Sequence, residues 1–152
     1  MIVVRPAGLA DAPAMSAVLI ASITELCADD HHNNPEALAS WLANKTPEGI
    51  ATWFADPASR LFVAERDGKV AAVGGLGAGR MITLNYVAPA HRFAGVSKAM
   101  LAALEAQLGP GEAALDSSRT ALPFYRALGW IEAGPAKPYR FVAGYPMRKM
   151  LR

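Results

Sequence analysis

The stretch Met81-Ile82-Thr83-Leu84-Asn85-Tyr86-Val87-Ala88-Pro89-Ala90-His91-Arg92-Phe93-Ala94-Gly95-Val96-Ser97-Lys98, continued from Ala99 to Leu108, decides the fold. Ile82, Leu84, Tyr86 and Val87 are apolar or β-favouring, so the stretch begins as a strand. Pro89 lacks the N–H a ladder needs and stops it. A short turn holding Arg92 and Gly95 follows. Val96, Met100, Leu101, Leu104 and Leu108 then recur at helical spacing. A strand, a basic glycine-bearing turn and a helix together present free backbone N–H groups to an anion. Arg92 adds fork-shaped donors suited to phosphate oxygens, and Gly95 lets backbone and ligand approach closely. A loop that carries an arginine and a glycine without binding anything is the alternative at this level.

On the N-terminal side, Ile2–Arg5 reads as a strand ended by Pro6. Asp11 reads as the N-cap of a helix with Pro13 in its first turn. Met15, Val18, Leu19, Ser22, Ile23 and Leu26 line one face of that helix. Asp29 to Asn34 reads as a polar loop, and Asn34-Pro35 and Thr46-Pro47 open two further helices. Their apolar residues, among them Trp41, Trp53 and Phe54, read as core first and as acceptor-pocket lining second. Leu61–Glu65 and Val70–Leu76 are strands joined by the Asp67-Gly68 hairpin turn, which takes positive φ. The Gly74-Gly75 pair marks a bulge, a close approach to substrate, or loose packing near a turn.

On the C-terminal side, Ala113–Asp116 is a buried strand reached through a helix and therefore parallel to Met81–Val87. A helix carrying Phe124, Tyr125 and Leu128 ends at Gly129, with Thr120 favoured over Ser118 as its cap. Trp130–Glu132 is a strand, Gly134–Tyr139 a loop, and Phe141–Arg152 holds the last strand. The expectation is one α+β domain over residues 1–152, with a mixed, mostly antiparallel sheet flanked by helices.

Composition narrows the function. With 53% hydrophobic residues in 152, disorder is excluded and a core is affordable. A net charge of +2 without a Lys/Arg run argues against nucleic acid. The single Cys27 rules out an internal disulfide and fits a reducing compartment. Neither a signal-peptide pattern nor a membrane-length apolar run is evident, so the expectation is cytoplasmic, away from membranes.

Two motifs carry a resemblance. Val87-Ala88-Pro89 followed by Arg92-Phe93-Ala94-Gly95-Val96-Ser97 resembles motif A of the GNAT superfamily of N-acetyltransferases. Its pattern is a strand ending Val-x-Pro, then Arg/Gln-x-x-Gly-x-Gly/Ala at a helix start. Ala121-Leu122-Pro123-Phe124-Tyr125-Arg126-Ala127-Leu128-Gly129-Trp130 resembles the family's Ala-x-x-Phe-Tyr-x-x-x-Gly-Trp/Phe segment. The element order agrees over nearly the whole chain. Ser97 departs from the usual Gly or Ala, and Phe93 from a small residue.

The resemblance implies acetyl-CoA as cosubstrate and no metal. It places the pyrophosphate on the amides of Arg92, Phe93, Ala94, Gly95, Val96, Ser97 and Lys98. The pantetheine arm would add to exposed backbone near Tyr86, Val87 and Ala88, with Phe124 alongside. It assigns the Val87 N–H to the thioester carbonyl and Tyr125 to protonation of the leaving thiolate. A core aromatic with its OH tied to backbone is the alternative for Tyr125. No Asp or Glu lies in Met81–Val87, which removes one common source of a general base. Glu25, His31 and His32 are the acceptor-side candidates, against solvated loop histidines or a base acting through ordered water. Asp29 and Asp30 read as capping or solvating the helix end, with attraction of a cationic amine as the alternative; Asn85 and Asp116 read as structural. The expected activity is acetyl transfer to a primary amine of a small molecule or peptide, by direct attack. A non-catalytic acyl-CoA sensor or interaction module is the alternative. A dinucleotide oxidoreductase is disfavoured, since no Gly-x-Gly-x-x-Gly opens a βαβ unit. The apolar C-terminal strand offers an edge for a homodimer.

Overall fold

The computed structural model describes residues 1–152. The elements are β1 (Ile2–Pro6), α1 (Ala12–Leu26), α2 (Ala28–His31), α3 (Pro35–Leu42), α4 (Pro47–Trp53), β2 (Arg60–Arg66), β3 (Lys69–Gly77), β4 (Met81–Val87), α5 (Val96–Leu108), β5 (Gly111–Ser117), α6 (Leu122–Ala127), β6 (Ile131–Glu132), β7 (Lys137–Pro138) and β8 (Ala143–Leu151). They build one sheet in the order β1-β2-β3-β4-β5-β8-β6, with β7 paired to β8. Every neighbouring pair is antiparallel except β4 and β5. The α5 crossover forces that one parallel pair, as the sequence order requires.

Both faces of the sheet are covered, which is why Leu61–Ala64 of β2 is apolar without a break. Leu61 and Val63 face Met15, Leu19 and Ile50 of α1 and α4. Phe62 and Ala64 face Met100, Leu101 and Leu104 of α5. Each such leucine or methionine contributes about 1.5–3 kcal/mol by leaving water. Gly74 lies where a Cβ would collide with the Met100 side chain. That glycine is a seat for α5, not an approach to substrate.

Several local expectations are corrected. Asp11 does not cap α1 through its side chain. It accepts two hydrogen bonds from Arg5 at 2.9 Å each and one from the Gly8 N–H at 2.7 Å. The guanidinium holds this carboxyl down at about 2. Asp29 to Asn34 is not wholly loop, because α2 occupies Ala28–His31. Asn34 and Thr46 do cap α3 and α4. Residues 134–139 contain the short β7, and α6 takes Ala121 as its cap residue, not Thr120. The last strand pairs with β5 from Tyr145 to Leu151 and, on its other side, with β7 at Ala143 and Gly144 and with β6 at Met147 and Arg148. The segment Leu9–Leu26 is long and apolar enough by composition to cross a membrane, contrary to expectation. Its helical part, α1, spans only 15 residues, or roughly 22 Å, and buries Met15, Leu19 and Ile23 completely in this domain.

Candidate active site

The site begins with a bulge. The register between β3 and β4 slips, pairing Gly75 with Leu84 and Leu76 with Ile82, so Thr83 has no partner. A bulge bends its strand and reverses the alternation of side chains beyond it. Ile82 therefore enters the α5-side core, whereas Leu84 and Tyr86 enter the α1-side core. The β4–β5 ladder ends at the same place: only Met81↔Ala114 and Ile82↔Leu115 are paired. Past Ile82 the two strands diverge.

The divergence leaves backbone groups open. Val87 lies opposite Ala72, and the Ala88 N–H donates to the Ala71 carbonyl at 2.8 Å. In an antiparallel ladder, alternate residues point their amides to opposite sides. The Val87 N–H and C=O thus face away from β3, into the gap. Tyr86 turns its backbone to β3, and Ala88 spends its amide there. Of these three residues, Val87 alone offers its backbone to a ligand in the gap.

A cavity of about 330 Å³ occupies the gap, between the end of α1 at Ser22, Leu26 and Cys27 and the α5 and α6 residues. Tyr86, Val87, Arg92, Phe93, Gly95, Val96, Ser97, Lys98, Phe124 and Tyr125 line it, while Ala88 and Ala94 do not. Gly95 precedes α5 with φ +82°, and the first intrahelical bond there is Ala99 N–H to Gly95 C=O. The amides of the first turn are left without helical partners, next to Arg92 and Lys98. Phe93 holds φ +64°, a strained value for a large side chain, and is 91% exposed beneath the Arg92 guanidinium at 4.5 Å. Strain of this kind concentrates at ligand sites.

Tyr125 reaches the cavity from α6, 6% exposed and packed edge-on against Phe124 and Trp130. Its hydroxyl is not tied to backbone. The Asn85 Nδ2 donates to it at 3.4 Å, so the phenol keeps its own proton for another acceptor. Burial pushes Tyr125 up to about 12, with the Asn85 hydrogen bond pulling the other way. The phenol therefore stays protonated throughout the neutral range. The Asn85 Oδ1 is buried without any partner. Cys27 also lines the cavity, and burial holds its thiol up at about 12. It is a poor nucleophile in that state.

Two further cavities adjoin this one: a small cavity of about 50 Å³, bounded by Thr83, Asn85, Asp116, Ser117 and Tyr125, and another of about 290 Å³ beside Trp41, Asp116 and Tyr139. Tyr86 and Ser118 line all three. Trp41 is partly buried and lines the 290 Å³ cavity, while Trp53 and Phe54 pack on the α1-side core.

The acceptor-side candidates fall elsewhere. Glu25 is exposed and lines none of these cavities. His31 is no solvated loop residue: it is 1% exposed, with Nε2 on the Ile23 carbonyl at 2.9 Å and Nδ1 accepting from the Asn33 N–H at 3.0 Å. Both ring nitrogens are occupied. His32 is exposed at a cleft lined by Asp29, Arg119 and Tyr139. Asp30 is a buried clasp, accepting from Arg119 N–H, Thr120 N–H and Thr120 Oγ1 at 2.6, 3.1 and 2.6 Å. It ties α2 to the loop that launches α6, which explains why Thr120 does not cap that helix. A lone aspartate in a polar run carries no signal of that partner 90 residues away. No group of three His, Cys, Asp or Glu residues is arranged to hold a metal ion.

These features agree with comparisons to known proteins. The chain matches the family model of the acetyltransferase (GNAT) domain over residues 27–151. It is similar to the structure of a GCN5-related N-acetyltransferase from Rhodopseudomonas palustris, with TM-score 0.86 and 24% identity over 98% of this chain and 95% of that one. It is also similar to the PaiA N-acetyltransferase of Thermoplasma acidophilum in complex with coenzyme A, with TM-score 0.80 and 16% identity over 99% of each chain. The ribosomal-protein-S18-alanine N-acetyltransferase of Escherichia coli gives TM-score 0.62 and 20% identity over 99% of this chain and 94% of that one. Among curated proteins no sequence relative matches. At these identities the structures establish the fold, and the domain match over most of the chain establishes that this protein belongs to the GNAT acetyltransferase family.

Proposed function

We propose that this protein transfers the acetyl group of acetyl-CoA to a primary amine of a small molecule or peptide, by direct attack on the thioester. The observation that carries the reading is convergence. The open Val87 N–H, the Tyr125 hydroxyl and the unpartnered amides of the α5 N-terminus all border one cavity. The N-terminal amides of α5, with Arg92 and Lys98, suit a pyrophosphate. The Ser97 hydroxyl adds a donor. Exposed β4 backbone suits the amide-bearing pantetheine arm, which would pair as a short added strand.

Each residue then has a step. The Val87 N–H donates to the thioester carbonyl, where negative charge develops as the amine nitrogen forms its bond to carbon. The carbon–sulfur bond breaks as the tetrahedral intermediate collapses. Tyr125 gives its proton to the departing thiolate, and Asn85 stabilises the phenolate until water returns a proton. The proton lost by the amine passes to water. Burial holds Cys27 as a thiol, a weak nucleophile, which favours direct transfer over an acyl-enzyme. The reduced Cys27 also accords with a cytoplasmic setting.

The test has two measurements. Release of CoA thiol is followed with a panel of primary amines, and acetyl-CoA binding to wild type and Gly95→Glu is measured by calorimetry. The variant sets a β-carbon and a negative charge at φ +82°, so affinity falls by about 10- to 100-fold. Undiminished binding would refute the pyrophosphate assignment. Tight binding with no turnover on the panel would favour a sensor on the same fold.

A further inference from the structure

The neighbouring cavities differ in charge. Arg92 and Lys98 line the one at the α5 N-terminus, and no carboxylate does. Asp116 on β5 is the only carboxylate bordering the 50 Å³ cavity or the 290 Å³ cavity, and no lysine or arginine lines either. Three aromatic side chains, Trp41, Tyr86 and Tyr139, line the 290 Å³ cavity around it. A carboxylate among aromatic rings attracts an organic cation through both charge and ring faces.

Asp116 already holds such a cation, loosely. The Tyr139 hydroxyl donates to its Oδ2 at 3.1 Å, and the Lys137 ammonium stands 3.5 Å from its Oδ1. The Asp116 side chain is 18% exposed, whereas that of Lys137 is 57% exposed. Lys137 sits on the two-residue β7, held to the sheet only by its pairing with Gly144 and Ala143. Asp116 lies on a seven-residue strand and Lys137 on a two-residue one.

We infer that Asp116 is the seat of the acceptor's ammonium group, which reaches the carboxylate from the cavity while Lys137 pairs with it from outside and competes for its charge. The inference rests on the transfer reading above and gives its substrate class: a primary alkylammonium whose apolar or aromatic body lies along Trp41, Tyr86 and Tyr139. Asp116 also borders the small cavity shared with Asn85 and Tyr125. An amine seated there is one short cavity from the open end of β4.

The test compares 2-phenylethylammonium with its neutral analogue 2-phenylethanol by calorimetry at neutral pH. Wild type binds the ammonium about tenfold or more tightly than the alcohol. Asp116→Asn abolishes that difference. Lys137→Ala, a surface change that leaves the core intact, tightens the ammonium about two- to fivefold and leaves the alcohol unchanged. Equal affinities in wild type, no ammonium binding at millimolar concentration, or an ammonium affinity indifferent to both substitutions overturns the inference. Thermal melts of each variant check the fold. Turnover with amines separates this inference from the reading it rests on. Asp116-dependent binding without any acetyl transfer would refute the transferase reading and keep the seat. Transfer to 2-phenylethylamine with a KM unmoved by Asp116→Asn would refute the seat and keep the transferase.

Discussion

The two ends of the β4–β5 pair are built on opposite principles. At the closed end, Met81 and Ile82 pair with Ala114 and Leu115, and Arg80 satisfies everything nearby. Its guanidinium donates to the carbonyls of Glu112, Leu108 and Gly109 at 2.8, 2.8 and 2.7 Å, and its own carbonyl accepts from the Ala114 N–H. One side chain thus caps α5 and fastens β4 to β5. At the open end, beyond the Thr83 bulge, the Val87 amide faces a cavity and the Asn85 Oδ1 has no partner. Satisfied groups hold the strands together at one end, and unsatisfied groups wait for a ligand at the other. A bulge one residue past the last ladder pair is what allows both in seven residues.

The contrast can be broken at either end. The largest effect is expected at the open end from Tyr125→Phe. It should lower kcat by about 10²- to 10⁴-fold while leaving acetyl-CoA affinity unchanged, as read by steady-state rates beside calorimetry. A variant with full rate would remove the acid role. At the closed end, Arg80→Ala strips three carbonyls of a charged donor and should cost about 2–4 kcal/mol, read from urea unfolding midpoints. If stability is unchanged, Arg80 is ornamental and something else holds the closed end.

Asn85→Leu sharpens the comparison because its two effects run in opposite directions. Removing a buried unpartnered oxygen should raise stability by about 1 kcal/mol or more. Removing the donor to Tyr125 should lower kcat about tenfold, with nothing further lost in a Tyr125→Phe background. A loss that persists in that background would assign Asn85 a role independent of the phenol. The smallest effect lies far from both ends. Asp11 is held at about 2 by Arg5, below its unfolded value near 3.8. The depressed pKa contributes stability above pH 4 that is lost as pH falls from about 4 through 2. With Arg5 partly exposed, the loss is about 1 kcal/mol, and Asp11→Asn should flatten the acid limb of stability by that amount.

How much of this was readable in the chain depended on range. The anion cradle was legible because Pro89, Arg92, Gly95 and the Val96–Leu108 stripe lie within twenty residues and obey local rules. Tyr125 was legible through its motif, yet its Asn85 partner sits 40 residues away on another strand. His31 and Asp30 were misread for the same reason. In sequence they belong to a polar run, and only the packing of α2 against α1 and the α6 loop buries them. The Gly74-Gly75 pair did suggest a bulge, but the unpaired residue is Thr83 on the facing strand.

What the sequence determined by itself is the order of the main helices and strands, the parallel pair, and the basic glycine-bearing turn ahead of α5. Helix periodicity, proline stops and the crossover rule act over one turn, one hairpin or one βαβ unit. The tertiary structure alone decided which amide is left open, which side chain faces the phenol, and that Asp116 borders a cavity next to that phenol. Those depend on register, and register is settled by contacts between strands that the chain order does not reveal: a one-residue slip at Thr83 turns every later side chain of β4 to the other face.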